Sequence, residues 1–290
     1  MRAASGRAKD HGPDSTGSRT KESEDFGRYW LRSWLNHPAL PVLILLLVMS
    51  SAIWGFAEIA DEVLEGETAS LDRALLIALR NPDDLSDPLG PPWLEEMGRD
   101  MTALGGIGVL TLTTLGVTGY LLLAQKRRMA VVVLVASLGA LAVSSSLKHS
   151  IDRPRPDLVP HGSVVYTQSF PSGHSMQSAA TYLTLASLLC GLQTRRRNRV
   201  YLLGLAVLVT VLVGMSRVYL GVHWPTDVVA GWIAGSAWAL ACWLLALWLK
   251  REGRVEPDVA VLDEPRATGS PCLPMSREKV FGDQPDDNSK

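Results

Sequence analysis

The sequence predicts an all-α protein, a six-helix integral membrane bundle, and three observations carry that prediction. Of the 290 residues, 47% are hydrophobic, a large share for a soluble domain of this size. The apolar residues gather into near-uncharged runs at about 39–57, 102–124, 129–147, 175–193, 200–215 and 225–249, each close to the roughly 20 residues that a helix needs to cross a bilayer core. Basic clusters punctuate the series, with QKRR at 125–128, TRRRNR at 194–199 and KREGR at 250–254 following the second, fourth and sixth runs. The net charge of −1 says little, because opposing local charges cancel.

Taken in order, residues 1–25 are polar and rich in Ser and Gly, which predicts a disordered cytosolic tail rather than a signal peptide. Residues 26–38 set Phe26, Tyr29, Trp30 and Trp34 beside Arg28 and Arg32, the pattern of a short helix at headgroup level. The six-span domain then covers 39–250. Its first outer loop, about 58–101, is acidic and contains LDRALLIALR, whose Leu71, Leu75, Leu76 and Leu79 suit an amphipathic helix serving as scaffold or lid. The run at 200–215 is the shortest and alone would fit a buried helix of a soluble protein; in series with five others it reads as a span. Residues 251–290 form a second tail like the first. Cys190, Cys242 and Cys272 share no metal or disulfide spacing, so the two in apolar runs read as packing residues.

The basic loops place both termini in the cytoplasm, because Lys and Arg accumulate on that side of a membrane. The remaining three loops then face outward. Against this tendency, Lys148, Arg153 and Arg155 gather in the second outer loop, and cations in the disfavoured place require a reason.

Reading the outer helix ends together supplies it. KHSIDRPRP begins at Lys148, PSGH occupies 171–174, and SRVYLGVHWPTD spans 216–227. At every fixed position these match KxxxxxxRP, PSGH and SRxxxxxHxxxD, so the sequence resembles the type 2 phosphatidic acid phosphatase superfamily over roughly residues 100–249. Three elements in order on one membrane face are far more specific than any one alone.

The residue types themselves carry a chemistry. Lys148, Arg155 and Arg217, drawn together by helix packing, form an anion clamp suited to a phosphate whose charge grows toward an in-line transition state. Ser172 stands where it would cap the helix beginning near Gly173, and Gly173 lets the backbone approach, so free amides at that helix start add donors. His223 and Asp227, four residues apart with Pro225 suited to a first helical turn, face each other so that the carboxylate orients the ring and leaves the other nitrogen free. The resemblance implies a phosphohistidine intermediate at His223. His174 would protonate the leaving alkoxide and then draw a proton from the hydrolytic water. No metal ligand pattern such as HExxH or a paired Asp cluster is present, a cationic pocket would repel a divalent ion, and no metal or other cofactor is expected.

Other residues invite simpler readings. His37, His149 and His161 fit solvated or locally satisfied rings. Arg153 stands close enough to substitute for Arg155, but the six-residue spacing from Lys148 favours Arg155, and Asp152 or Asp157 would neutralise Arg153. Pro154 and Pro156 stiffen the loop. Trp224, Trp232, Trp238, Trp243 and Trp248 read as interface anchors and packing. Asp100 either lines the pocket or is simply a helix-end acid. GGIG at 105–108 is too apolar for a phosphate loop and reads as close helix packing.

The expectation is therefore a metal-independent membrane phosphatase, its catalytic loops on the outer face, hydrolysing a lipid phosphomonoester or pyrophosphate. Phosphatidic acid, phosphatidylglycerophosphate, a polyprenyl diphosphate and a lipid-A-like phosphate all fit the clamp, with chains entering from the side between helices. Its partners would be that lipid phosphate and the surrounding membrane lipids, not nucleic acid. Its place would be a bacterial inner (cell) membrane, with the site on the periplasmic side. A lipid-phosphate transporter or scaffold would explain the cations and the spans but leave His174 and the His223–Asp227 spacing without work. A vanadium-dependent haloperoxidase shares the signature, since vanadate mimics phosphate, but those enzymes are generally soluble.

Overall fold

The computed structural model describes residues 40–157 and 168–251. The two predicted tails, the predicted interfacial helix at 26–38, and His37, His161 and Cys272 lie outside them. The described chain is mostly helical: α1 (Leu40–Glu65), α2 (Ala69–Ile77), α3 (Pro92–Ala103), α4 (Ile107–Leu123), α5 (Arg127–Ser150), α6 (Gly173–Gly191), α7 (Arg196–Tyr219) and α8 (Pro225–Arg251). Between α2 and α3 a small antiparallel hairpin interrupts the predicted all-α pattern, with β1 (Arg80–Asn81) pairing β2 (Asp84–Pro88). Its Pro-Asp-rich turn is closed by side chains, the Asn81 carbonyl oxygen accepting from the Asp83 amide at 3.2 Å and Asp84 from the Ser86 amide at 2.9 Å.

The predicted six spans stand in reduced form. Four helices, α1, α5, α7 and α8, are long and apolar enough to cross a bilayer, and α3 with α4, bent by 44° at a short break, makes a fifth if the pair is one span. The 200–215 run extends into the full α7 and qualifies. The run at 175–193 is the one that does not. It forms α6, a helix of 19 residues that carries His174, Ser175, Gln177, Ser178, Thr181, Thr184 and Ser187. Its position explains its polarity. It packs against α5, α7 and α8, so its surroundings are protein rather than lipid.

Close approach onto α6 is made by small residues of α8. A Cβ on Gly235 would stand 2.3 Å from the Met176 carbonyl oxygen, and one on Gly231 would stand 2.7 Å from that of Ser172. Two tryptophans fill the opposite glycines, Trp232 over Gly214 and Trp238 over Gly139, each indole N–H donating to a backbone carbonyl. Both are half-buried and pack between helices, one of the two roles expected of them. Gly105 at the α3–α4 break meets Val213 and His174, as close packing predicts, whereas Gly108 meets nothing.

The first span runs farther than its hydropathy. Glu58, Asp61, Glu62 and Glu65 end the apolar run near 57, yet Phe56, Ile59, Ala60 and Val63 continue a helical stripe that packs on Ile151, Phe170 and Ala230. The outer segment thus begins after Glu65. Within it, α2 buries part of the predicted face, since Leu76 is fully buried with Leu79 packed beside it, whereas Leu71 and Leu75 are 57% and 46% exposed and Asp72 is buried. The stripe is Asp72, Leu76 and Arg80, four residues apart each time, and it presses the segment onto the bundle end formed by Val218 and Val228.

Candidate active site

Antiparallel packing carries the three sequence motifs to one end of the bundle. Lys148 sits in the last turn of α5, Arg155 in the strap after it, His174 in the first turn of α6, Arg217 in the last turn of α7, His223 before α8 and Asp227 in its first turn.

The ring of His223 is 1% exposed and Asp227 is 0% exposed. Asp227 Oδ2 lies 3.3 Å from His223 Nδ1 and also accepts from the Ser169 hydroxyl and, at 3.0 Å, from the Trp224 amide. Its other oxygen accepts from Arg153 Nη1 at 2.6 Å. A fully buried carboxylate therefore has four donors, which compensates the cost of dehydrating it. On the far side of the ring, Arg155 Nη1 donates to His223 Nε2 at 3.2 Å and to the Val222 carbonyl at 2.9 Å. An arginine can only donate, so these partners assign the proton to Nδ1 and the lone pair to Nε2. Burial pushes the His223 pKa down to about 3; Asp227 opposes the fall, and Arg217 and Arg155 add to it. The resting ring is thus neutral at pH 7, with its free electron pair turned toward the cations.

Lys148 donates to the Gln168 carbonyl at 2.7 Å, and its Cε lies 3.5 Å from where a Gly173 Cβ would stand. Gly173 thus lies in contact range of the Lys148 side chain at the start of α6. Arg217 is held by the Thr102 hydroxyl of α3 at 2.9 Å, while its Nε is buried without a partner among the described residues. A buried cationic donor left over in this way is available to an anion. His174 lies within electrostatic reach of Arg217, His223, Arg155 and Lys148.

Some expectations need correction. Ser172 does hold the N-cap position of α6, but its side chain makes no capping bond; it is buried and accepts instead from the Ser175 hydroxyl at 3.1 Å. Its amide donates to the Asp227 carbonyl at 2.9 Å, tying the PSGH turn to the dyad through the backbone. Arg153 is neutralised by Asp72 and Asp227, not by Asp152 or Asp157, since Asp152 instead takes the Gln168 amide. Asp100 is exposed, and Thr102 is the α3 residue that reaches the cations. His149 is exposed with Nδ1 at 2.6 Å from the Ser145 carbonyl, the locally satisfied ring expected. Among the described residues Cys190 and Cys242 are free thiols, and Cys242 is buried packing. Sequence reasoning missed Ser169, Thr102, Thr226 and Asp72. Only Ser169 carried a signal, standing two residues before the PSGH turn.

Residues 129–251 match the family model of the PAP2 superfamily. Over 149 residues the chain is 35% identical to phosphatidylglycerophosphatase B of Bacillus subtilis, covering 50% of this chain and 71% of that protein. It is 30% identical over 173 residues to the lipid A 1-phosphatase of Rhizobium etli, covering 52% and 70%. The crystal structure of a transmembrane PAP2 type phosphatidylglycerolphosphate phosphatase from Bacillus subtilis has a TM-score of 0.64 at 28% identity, over 70% of this chain and 98% of that one. With its long apolar helices and a neighbour of this kind, the chain is an integral membrane protein of the helical-bundle class, built around a buried polar site at one end. It belongs to the PAP2 superfamily.

Proposed function

We propose that this protein is a membrane phosphatase that hydrolyses a lipid phosphomonoester or pyrophosphate through a phosphohistidine on His223. The observation that carries the reading is the polarity of that ring, with Nδ1 held by a four-times-bonded Asp227 and the Nε2 lone pair turned to Arg155. An incoming phosphate takes Lys148, Arg155 and Arg217, together with the amides of the first turn of α6 from Gly173 onward, and in drawing Arg155 away it uncovers Nε2 for in-line attack. Asp227 stabilises the charge that grows on the ring, as a carboxylate does for histidine in hydrolytic triads. His174, whose pKa burial and the neighbouring cations lower to about 3, takes up a proton as the anionic phosphate enters, gives it to the leaving oxygen and then serves as base for the water that frees His223.

The lipid class is supported by what similar proteins act on: phosphatidylglycerophosphate, lipid A and, for a relative 34% identical over 123 residues, a decaprenylphosphoryl-5-phosphoribose. A lateral cavity of about 200 Å³ between α4, α5 and α6, lined by Ile107, Leu110, Leu134, Leu138 and Gln177, suits an acyl or prenyl chain. Gln177 stands one turn below Gly173, so a chain in that cavity leads a headgroup to the clamp. Six spans in an inner membrane, counting the bent α3–α4 pair as one and the enclosed α6 as another, with cytoplasmic termini and an outward-facing site, complete the reading on the strength of the basic loops. A single cysteine at Ser86 of the hairpin should react with an impermeant thiol reagent on intact cells and one at Asn198 should not; the reverse pattern would put the site in the cytoplasm.

Phosphate release by the purified protein from a panel of lipid phosphates tests the activity. Three fixed cations do the work of a divalent ion, so release should persist in excess chelator and fall with vanadate, which resembles five-coordinate phosphorus. Recovery of a chelated, inactive sample on adding magnesium would refute metal independence, and absence of release from every lipid would leave the transporter or scaffold reading.

A further inference from the structure

The segment between α1 and α3, which the function above leaves without a task, buries two charged side chains, Asp72 at 0% and Arg80 at 1% exposure. Isolated buried charges are costly, so their partners identify what they are for. Arg80 donates to the Tyr219 carbonyl at 2.6 Å, at the end of α7, two residues past Arg217. Asp72 reaches the dyad. Its Oδ2 accepts from Arg153 Nη2 and from the Thr226 hydroxyl, both at 2.6 Å, and its Oδ1 accepts from the Thr226 amide at 3.0 Å. Pro225 has no N–H, so the Thr226 amide is the first free donor of α8, and a carboxylate 154 residues earlier in the chain caps it. Arg153 completes the network, because Nη1 donates to Asp227 Oδ1 at 2.6 Å and to the Thr226 hydroxyl at 2.8 Å. One guanidinium thus spans two buried carboxylates, and its Cζ stands 5.7 Å from the centroid of the Trp224 ring.

We infer that Asp72 and Arg153 are positioning residues for the reaction, holding Asp227 in register with His223 and setting how much of its negative charge the ring receives. The inference rests on the reading of His223 as nucleophile. When Nε2 bonds to phosphorus the imidazole becomes cationic, and Asp227 Oδ2 stabilises that charge through the Nδ1 proton. Arg153, on the other oxygen, competes for the same carboxylate. Asp72 takes the second arm of the fork and divides its field. Without the Asp72 charge the whole guanidinium acts on Asp227, and the carboxylate supports the imidazolium less. The remaining groups around the dyad are Arg155 on Nε2, Ser169 and the Trp224 amide on the Asp227 side, and Arg217 and His174 across the pocket.

The test uses the full chain, purified, with Asp72→Asn, which preserves the side chain's size and one acceptor for the Thr226 amide. The expected result is a fall in kcat of about tenfold or more, the scale seen when a partner that orients a reactive ligand is lost. KM should change by less than about twofold, and the loss should be equal on a lipid phosphate and on p-nitrophenyl phosphate, since the defect lies in attack rather than in leaving-group protonation. In an Asp227→Asn background the same substitution should add less than about twofold, because both changes act through one carboxylate. Arg153→Lys should behave like Asp72→Asn, as one ammonium cannot hold two carboxylates, and it carries the same test if Asp72→Asn does not yield folded protein. A folded variant with unchanged kcat, or losses that multiply with that of Asp227→Asn, would reduce Asp72 to glue for the outer segment and overturn the inference. An active His223→Ala would overturn the function and this inference together, whereas an inactive His223→Ala beside an unaffected Asp72→Asn overturns only the positioning role.

Discussion

Replacing His223 with alanine is expected to abolish phosphate release, by about 10⁴-fold or more, on a lipid phosphate and on p-nitrophenyl phosphate alike. The cations can bind a phosphate without the ring, and His174, the other imidazole among them, is assigned to the leaving oxygen and the water rather than to phosphorus. Lys148 and Arg217 donate, Arg155 donates to Nε2 itself, and Asp227 Oδ1 and Oδ2 are occupied by four bonds. Because the resting ring is neutral, its burial having lowered its pKa to about 3, His223 needs no deprotonation before attack. A good leaving group gives no relief, since the nucleophile is missing for both substrates. Asp227→Asn should show a weaker form of the same defect, as the ring survives with a poorer tautomer and a less stabilised imidazolium. Initial rates at saturating substrate decide the matter, and a His223→Ala protein keeping more than about a hundredth of wild-type rate on either substrate would exclude covalent catalysis at this ring.

The second large effect should be selective. His174 stands at the start of α6, across the pocket from His223 and among the same cations. A lipid alkoxide leaves poorly and depends on a proton, worth about 10²–10⁴ in rate from a positioned acid. The p-nitrophenolate ion leaves well without one. His174→Ala should therefore lose about 10²-fold or more on a lipid phosphate and far less on p-nitrophenyl phosphate, separating the two histidines by role. If water attack also needs His174 as base, the variant given the good leaving group should accumulate phosphohistidine, visible as acid-labile label on the protein. Equal loss ratios for His174→Ala and His223→Ala on both substrates would show the proposed division of labour to be wrong, while leaving phosphate hydrolysis itself intact.

How far these residues were legible follows from how local their signals are. Hydropathy found every one of the long helices because lipid-facing residues dominate their composition, as Leu112, Leu123 and Tyr120 still show by their exposure. It overrated α6, which is enclosed by other helices and so is released from the need to be apolar. It also stopped α1 too early, since a hydropathy window registers the acids at 58, 61, 62 and 65 but not the stripe of Phe56, Ile59 and Val63 on the opposite face. Lys148, Arg155, His174, Arg217, His223 and Asp227 could be named as candidates because their spacings within short stretches match the motifs of the family the sequence resembles.

By itself, then, the sequence determined the helical membrane class, the three polar stretches and the residue types that gather in them, because each is written in a local pattern of charge, apolarity and spacing. Only the tertiary structure decided which partner each charge has. Asp72 is one acid among many in an acidic outer segment, Arg153 stood second to Arg155 by spacing, and nothing near either one in the chain marks it out. They meet through contacts 81 and 74 residues apart, Arg153 with Asp72 and Arg153 with Asp227. Burial is what makes the contacts matter. A charge removed from water must find its partners, a counter-charge for Asp72 and backbone carbonyls for Arg80, wherever packing has put them, and that choice belongs to the three-dimensional arrangement of the helices.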